Sequence, residues 1–590
     1  MSTNLDPEML NNKRHSLAHL LAASVLELYP GTQLGIGPVI DNGFYYDLIL
    51  PEQLSPEDLP KLQSLMERQL KAGLAFERQE MSFTEAREFF QDKNQPFKVE
   101  LINDLESGGE VSNVSLYKTG DFIDLCKGGH VENTSEIQAG SFVLDKIAGA
   151  YWRGDEKNPM MTRVYGLAFD SAEDLQAYLA MREEAEARDH KKLGPELDLF
   201  VFSELVGSGL PLWTPKGTMV RHLLDDFVWD LRKGMGYQKV EIPHITKKDL
   251  YERSGHWDKF KDELFRITTR EGHEFAMKPM NCPHHTQLYD RKRWSYRDLP
   301  QRYANTTTCY RDEQSGELSG LSRVRAFAQD DAHVFARMSQ AKEEFVKVWN
   351  IVEKFYQTFG FELKVRLSMR DPEKTENYLG DSAKWEEAQN MLREIAAEQK
   401  IETYDGVGEA AFYGPKLDFM ANDSLGREWQ VATIQIDFNM PERFDLFCIN
   451  ESGEQERIVM IHAAIMGSLE RFLSILIEHT AGQFPLWLSP VQVIVVPVSD
   501  KQTAYAESVL KTITDVIPDL RIELDNRSES MGKRIRESAK QKVPYILVVG
   551  DKEIEAGTVS VRGRNDTDLG AIEVNDFANQ LMDEIANRKN

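Results

Sequence analysis

The feature that most narrows the possible folds of this chain is a change, near residue 490, in how its apolar runs follow one another. From about residue 201 to 487, strand-like runs such as KVEIPHI, QRYANTTTCYRDE, RVRAFAQDDAHVF and REWQVATIQIDFNM are separated by helical stretches in no regular order. A parallel sheet needs a crossover after each strand, so this irregular succession points to a largely antiparallel α+β sheet. Beyond residue 490 the order becomes regular: VQVIVVPV, a helix over 502–517, LRIELD, a helix over 531–541, YILVVG, TVSVRG and a final helix. That alternation predicts a separate α/β domain. The chain is therefore expected to be α+β and multidomain, its 590 residues leaving room for two to four domains.

Upstream, a helix-like stretch over 13–29 ends at Pro30-Gly31 and gives way to strand-like pieces such as GPVIDNGFYYDL. Four blocks result: an N-terminal α+β block (1–170), a connector (171–200), the antiparallel block (201–487) and the α/β block (488–590). The connector reads as one amphipathic helix, with Leu175, Tyr178, Leu179 and Met181 set among dense charges. The longest apolar runs, such as 491–498, fall far short of the ~20 residues of a bilayer span. The opening MSTNLDPEML has neither the basic nor the apolar region of a signal peptide, so a cytoplasmic protein without a membrane partner is expected. Its four cysteines are too few and too scattered for a disulfide scaffold.

A net charge of −26 excludes a uniformly basic nucleic-acid coat, so any polyanion must be met locally. Residues 491–590, with 14 basic and 17 acidic side chains, are the least acidic part, and 521–545 hold seven basic and four acidic residues. In CYRDE, Arg311 and Glu313 are two apart, so on a strand both would point to one face and offer a cation and an anion to one ligand. Alone, a surface ion pair would explain them. They are followed, however, by the loop QSGELSG, by Arg323 and Arg325, and far downstream by Gly467 and Arg471 in HAAIMGSLERF. In the first block His15 and His19 stack on one helix face, with Ala22 and Ala23 leaving room beside them. Asp124 and the string CKGGH, with Cys126 and His130, follow. Unaided, H-x3-H with C-x3-H reads as a zinc signature, against the blander alternative of two packing pairs.

Arg311-x-Glu313 with its long loop resembles motif 2 of the class II aminoacyl-tRNA synthetases, the segment from Gly467 to Arg471 resembles their motif 3, and KVEIPH with Pro243 resembles the end of motif 1. Among them the chain is most similar to the threonyl-tRNA synthetases, through MKPMNCPHH, RVRAFAQDDAHVF, AFYGPKLDF and QVATIQIDF. The resemblance covers essentially the whole chain and implies a class II antiparallel catalytic core, an N-terminal editing domain and a C-terminal anticodon-binding domain. It implies a homodimer that activates L-threonine with ATP, transfers it to tRNA(Thr) and hydrolyses mischarged seryl-tRNA(Thr). It also implies a form without the ubiquitin-like TGS module that opens many members.

By the same resemblance, Arg311 grips the α-phosphate and carboxylate, Arg471 reaches the γ-phosphate, Arg323 assists, Glu313 accepts from the adenine amino group and Gln430 binds the ribose and adenylate, with Mg2+ bridging the phosphates. Cys282, His333 and His462, which no local spacing singles out, would hold one Zn2+ per subunit with an open position for the substrate. Gln329, Asp331 and Tyr413 would surround the substrate's amino group and side chain. Valine lacks the hydroxyl such a site requires and is rejected by roughly 10⁴ or more, whereas serine lacks only a methyl, worth about 10–200-fold. A second, hydrolytic site is therefore expected. The resemblance assigns it to His15, His19, Lys98, Asp124, Cys126 and His130, acting without metal, and departs from the family pattern at Gly129, where proline is expected. Glu553 and Arg562 match anticodon readers, Arg534 and Lys533 would contact the tRNA backbone, and Ser528 stands near a position where asparagine is expected. Two rivals remain: an RNA-binding regulator that has lost catalysis, and a standalone zinc hydrolase of aminoacyl-tRNA.

Overall fold

The computed structural model describes residues 7–109 and 111–589, so residues 1–6 of the first block lie outside it. The chain divides into two compact units, Met1–Glu183 and Glu184–Asn590, and the division falls within the stretch expected to be a single connecting helix. That stretch forms two helices, Ala172–Arg188 and His190–Glu196. Asp189 between them leaves helical geometry, and its carboxylate caps the second helix by accepting from the Lys191 N–H at 2.8 Å.

In the first unit, the helix Pro7–Leu28 buries Leu17, Leu20, Leu21 and Val25 against a five-stranded sheet built around Gly43–Ile49, Met160–Ala168 and Phe142–Tyr151. The same helix turns His15 and His19 toward the loop that follows Phe122–Leu125, the last strand of a separate three-stranded sheet.

The second unit is organised by an eight-stranded sheet in the order Gln238–Lys239, Gln301–Tyr310, Ala326–Ala336, Val459–Ser468, Glu428–Asp437, Lys416–Asn422, Leu363–Met369, Thr403–Val407. Only the two outermost pairings are parallel; the central ones are antiparallel, as the irregular strand succession predicts. Of KVEIPHI, only Lys239 at one end and Ile245 at the other are in strands, since Pro243 has no amide to give a ladder. The helix Met338–Gln357 lays Phe345, Val348, Trp349, Val352 and Phe355 on one face of the sheet, with Leu469–Thr480 beside it. The last hundred residues form a five-stranded sheet, ordered Ile522–Leu524, Val493–Pro497, Tyr545–Val549, Thr558–Arg562, Asp568–Glu573. Its first three strands are parallel and the rest antiparallel, so the expected α/β alternation ends in a hairpin. No described helix is long and apolar enough to cross a membrane.

One irregularity in the large sheet shapes everything above it. Ala326–Ala336 and Val459–Ser468 run in register from Ala336 back to Asp331, then slip between Asp331 and Gln329, which pair with Ala464 and Ser468. The amides of Ile465 and Met466 in this bulge donate to the two carboxylate oxygens of Asp330 at 2.9 and 3.0 Å. Asp330 is fully buried, and burial pushes its carboxyl up to about 7 against the opposing pull of Arg232 and the two amides. Arg232, also buried, donates to the Asp330 carbonyl at 2.7 Å and carboxylate at 3.2 Å. Removing one partner of a buried pair costs about 3–5 kcal/mol. Arg232→Met is accordingly expected to lower the melting temperature by several degrees, as read by circular dichroism, and an unchanged melting curve would refute this account of the bulge.

Candidate functional site

Above the bulge the sheet register brings the expected metal ligands together. His333 and His462 are directly opposed across the pairing of their strands, and Cys282, first residue of the helix Cys282–Asp290, comes from the side. One ligand atom from each lies within 4.8 Å of the others. His333 Nε2 and His462 Nδ1 face each other at 3.0 Å, close to the ~3.3 Å between two nitrogens on one tetrahedral zinc. The rear nitrogens are held: His462 Nε2 against the Asp437 carboxylate at 3.0 Å, and His333 Nδ1 against His285 Nδ1 at 2.7 Å. A ligating imidazole backed by a carboxylate is the usual outer support of a zinc site. Burial pulls His333 well below its ordinary value and pushes the Cys282 thiol well above its own, so the donors fit a zinc ion that would draw off the thiol proton.

The residues expected around the substrate line the same cleft. Asp331 accepts from Asn281 Nδ2 at 3.1 Å, and Asn281 is oriented in turn by the buried Lys278, whose ammonium donates to its Oδ1 at 2.8 Å. Burial raises the Asp331 carboxyl to about 6, opposed chiefly by His462. Tyr413 donates its hydroxyl to Gln435 at 2.7 Å, and its ring lies 5.2 Å from that of His462. Gln329, on the same strand face as Asp331 and His333, has Cys309 Sγ 3.8 Å from its Oε1.

Arg311 and Glu313 fall just past the strand Gln301–Tyr310 rather than within it, in a segment anchored by the Arg311 N–H to the Arg325 carbonyl at 2.9 Å. The Arg311 guanidinium sits between the Phe260 and Phe327 rings, 5.5 and 5.2 Å from their centres, and its buried Nε has no hydrogen-bond partner. Arg471 is likewise in no described ion pair; burial and the nearby positive charge of Arg323 pull its pKa down. Two guanidiniums in no ion pair among the described residues can receive an anion. Glu313, by contrast, is held by Arg323 at 2.7 Å, and Arg323 also pairs with Glu317 at 3.0 Å. Gln430 donates to the Asp418 carboxylate at 2.9 Å and accepts from Arg366 at 2.9 Å; Asp418 is fully buried and also takes Ser368 and Thr433.

In the first unit His15, His19, Cys126 and His130 converge, with one ligand atom from each within 4.8 Å of the rest. Cys126 Sγ lies 3.4 Å from His15 Nε2 and 3.2 Å from His130 Nε2. Ser16 Oγ donates to the Asn12 carbonyl, so at 3.2 Å it accepts from His130 Nδ1, leaving His130 Nε2 as a lone-pair nitrogen. Burial lowers His130 to about 2 and raises the Cys126 thiol to about 11, so the cluster is neutral. Lys98 and Asp124 form a separate buried ion pair at 2.6 Å, with the Tyr46 hydroxyl donating to Asp124 and accepting from Lys98 at 3.0 Å. A cleft of about 1030 Å³, bordered by Cys126, Leu125, Leu101, Val111 and Arg78, opens beside the thiol. Gly129 has φ +83°, which proline cannot adopt, so the CKGGH turn needs the residue found here.

In the last hundred residues the structure corrects the basic strip. Arg534 is buried, its guanidinium donating to the carbonyls of Asp525 and, at 2.8 Å, Pro497, so it is not a surface contact for a tRNA backbone. Arg521 is turned onto the carbonyls of Ser489 and Trp487, Arg527 pairs with Asp525 and Glu537, and Lys533 with Glu529 at 2.7 Å. Glu553 accepts from the Gly550 N–H at 2.9 Å and so caps its own helix, while Arg562 ends the strand Thr558–Arg562. Four of its seven basic residues are thus engaged within the protein, Arg521 and Arg534 with carbonyls and Arg527 and Lys533 with carboxylates.

Several site residues escaped the sequence reading: Asn281, His285, Gln435 and Asp437 around the triad, Tyr46 and Ser16 around the first-unit cluster. Gln435 and Asp437 carried a usable signal, since Thr433, Gln435 and Asp437 alternate on one face of a strand.

Comparison with known proteins yields three matching family models: "tRNA synthetase class II core domain (G, H, P, S and T)" over residues 265–480, "Anticodon binding domain" over 492–584, and "Threonyl and Alanyl tRNA synthetase second additional domain" over 114–165. The threonine–tRNA ligase of Gloeobacter violaceus is 47% identical, covering 99% of this chain and 94% of that one. That of Thermus thermophilus is 47% identical, covering 100% and 90%. Among solved structures, the RNA binding domain of threonyl-tRNA synthetase from Cryptosporidium parvum matches with a TM-score of 0.63 at 35% identity, over 67% of this chain and 98% of that one.

The two clusters of Cys and His can be told apart by metal analysis. One zinc per chain is expected in the wild type, lost in Cys282→Ser and retained in Cys126→Ser; the reverse pattern would move the metal to the first unit.

Proposed function

The chain belongs to the threonyl-tRNA synthetases, class II enzymes that join threonine to its tRNA, and from that premise we propose how its residues divide the work. Residues 201–487 are the catalytic domain, 1–170 the editing domain, 171–200 the linker and 488–590 the anticodon-binding domain. The observation that carries this reading is that Arg311, whose buried Nε has no partner, and Arg471 enter no ion pair among the described residues, while Cys282, His333 and His462 converge within 4.8 Å.

In the activation step a threonine carboxylate oxygen attacks the α-phosphorus of ATP and pyrophosphate leaves. Arg311 holds the carboxylate and α-phosphate together, offsetting the negative charge that builds on the pentavalent phosphorus. Arg471 and Arg323 take the terminal phosphates, where Mg2+ would offset further charge, and Arg323 exchanges Glu313 and Glu317 for phosphate as it does so. Glu313, so released, accepts from the adenine amino group, and Gln430, fixed by Asp418, binds the ribose. Asp331 pairs with the threonine ammonium, and Gln329 and Tyr413 enclose the side chain. Cys282, His333 and His462 would hold a zinc ion, which would act there as a Lewis acid that binds the substrate's amine and hydroxyl. A site completed by the hydroxyl rejects valine by about 10⁴ but serine by only about 10–200-fold.

Serine is removed in the first unit. His15, His19, Cys126 and His130 orient the seryl ester and a water in the cleft beside them, and Lys98 with Asp124 completes the pocket without metal. Neutral imidazoles suit this task, because the attacking water needs a lone pair to receive its proton. Glu553 and Arg562 face anticodon bases and Lys533 a backbone phosphate. The protein works as a cytoplasmic homodimer, and the exposed apolar residues Phe202, Leu205 and Val206 are suited to a subunit interface.

Pyrophosphate exchange measured in parallel with threonine, serine and valine is expected to be strong, weaker and nearly absent, and the same preparation should deacylate seryl-tRNA(Thr). Lys98→Met is expected to lower that deacylation by about 100-fold or more while leaving exchange with threonine unchanged. Exchange with none of the three would favour the RNA-binding regulator, and undiminished deacylation in Lys98→Met would remove Lys98 from the hydrolytic site.

A further inference from the structure

His190 opens the helix His190–Glu196 near the start of the second unit, outside every role assigned above. It is 3% exposed, and its hydrogen bonds settle its tautomer. Nε2 accepts from the Leu321 N–H at 3.0 Å, so the ring proton is on Nδ1, which donates to Glu478 Oε1 at 2.6 Å. The His190 backbone N–H donates to the same oxygen at 3.2 Å, and the other Glu478 oxygen takes Arg427. Asp189, His190 and Glu478 are close enough to suggest a metal site, but with one ring nitrogen carrying a proton and the other accepting an amide, no lone pair is left for a cation.

What this imidazole holds is the root of the loop that carries Arg323. Gly320 has φ +51°, and a Cβ placed on it would lie 2.2 Å from His190 Nε2, so the loop backbone is seated directly on the ring. The Leu321 side chain is fully buried, and Ser322 Oγ lies 3.0 Å from Ser474 Oγ. From there the turn closes through mutual backbone bonds between Ser319 and Arg323 at 3.1 and 3.3 Å, and the Arg323 guanidinium reaches Glu313. A ring nitrogen two residues from Arg323 therefore sets where that turn stands over the cleft.

We propose that His190 is a positioning residue for ATP: its Nε2, oriented by Glu478 behind it, fixes the loop that presents Arg323 and Glu313 to the nucleotide. The proposal rests on the reading of Arg323 and Glu313 as ATP contacts. It explains why a buried amide is met by a histidine with its own carboxylate support when any backbone carbonyl would satisfy it. A fixed imidazole holds the loop in one place, and misplacing a binding group by about 1 Å costs on the order of 100-fold.

The test compares His190→Gln, whose Oε1 falls near the position of Nε2 and can still accept the Leu321 amide, with His190→Asn, which reaches only toward Glu478. In pyrophosphate exchange, His190→Asn is expected to raise the KM for ATP about tenfold or more with little change in the KM for threonine, and His190→Gln to restore most of it. Equal ATP KM values in the two variants, or a parallel rise in both KM values, would overturn the proposal, since a packing role does not distinguish acceptor position or substrate. Should His190→Asn fail to fold, Gly320→Ala displaces the loop from the same contact on the other side and is expected to give the same ATP-specific rise; an unchanged ATP KM there would overturn the proposal. Arg323→Ala separates the two levels: an unchanged ATP KM in that variant sinks the reading of the loop itself, whereas a raised KM there with His190→Asn at the wild-type value sinks the role of His190 alone.

Discussion

The catalytic cleft depends on how two strands pair. Where Ala326–Ala336 and Val459–Ser468 are in register, His333 and His462 meet; where the register slips, the extra backbone of residues 465–467 bends away beside Gln329 and Asp331. That slip leaves two amides without a strand partner, and Asp330 takes both from beneath the sheet while Asp331, next in sequence, points into the cleft. A strand's alternation thus gives two adjacent aspartates opposite surroundings, one holding the bulge and one facing the cleft. Asp330 is buried against Arg232, and the helix Pro215–Lys233 that carries Arg232 is tied to the strand beneath the cleft through this pair.

The fold class was legible because hydrophobic succession reports topology: irregular in the middle, regular at the end. The site was legible only in part. Arg311 with Glu313 and the His15/His19 pair could be noticed from spacing, since each lies within a few residues. The cluster of Cys282, His333 and His462 could not, because its members are joined by strand register and a helix start, neither of which leaves a local mark. Arg534 illustrates the opposite failure. A basic residue in a basic strip reads as surface, yet its guanidinium satisfies two buried carbonyls, and charge patterning cannot tell a phosphate from a backbone oxygen as the intended acceptor. The connector was misread for a smaller reason: Asp189 is as compatible with a solvated helix face as with a cap, and only its backbone angle decides.

The two Cys and His clusters use the same donors under different constraints. In the second unit, Asp437 backs one imidazole, which orients it toward a cation. In the first, no carboxylate among the described residues hydrogen-bonds the rings; Ser16 meets His130 instead, and the nearby charges, Lys98 and Asp124, pair with each other. The same elements can therefore serve as a metal cradle or as a neutral hydrogen-bonding wall, and the groups behind them set the difference.

The histidines His15 and His19 hang from a helix whose apolar face belongs to a hydrophobic core of its own, while the strands that present His333 and His462 are packed in another. Damage confined to the smaller core removes the chain's correction of its own errors and leaves its output intact. A cell carrying such a lesion would go on making protein at the usual pace, with serine scattered through it where threonine was encoded, and the injury would appear in the products long before it appeared in the enzyme.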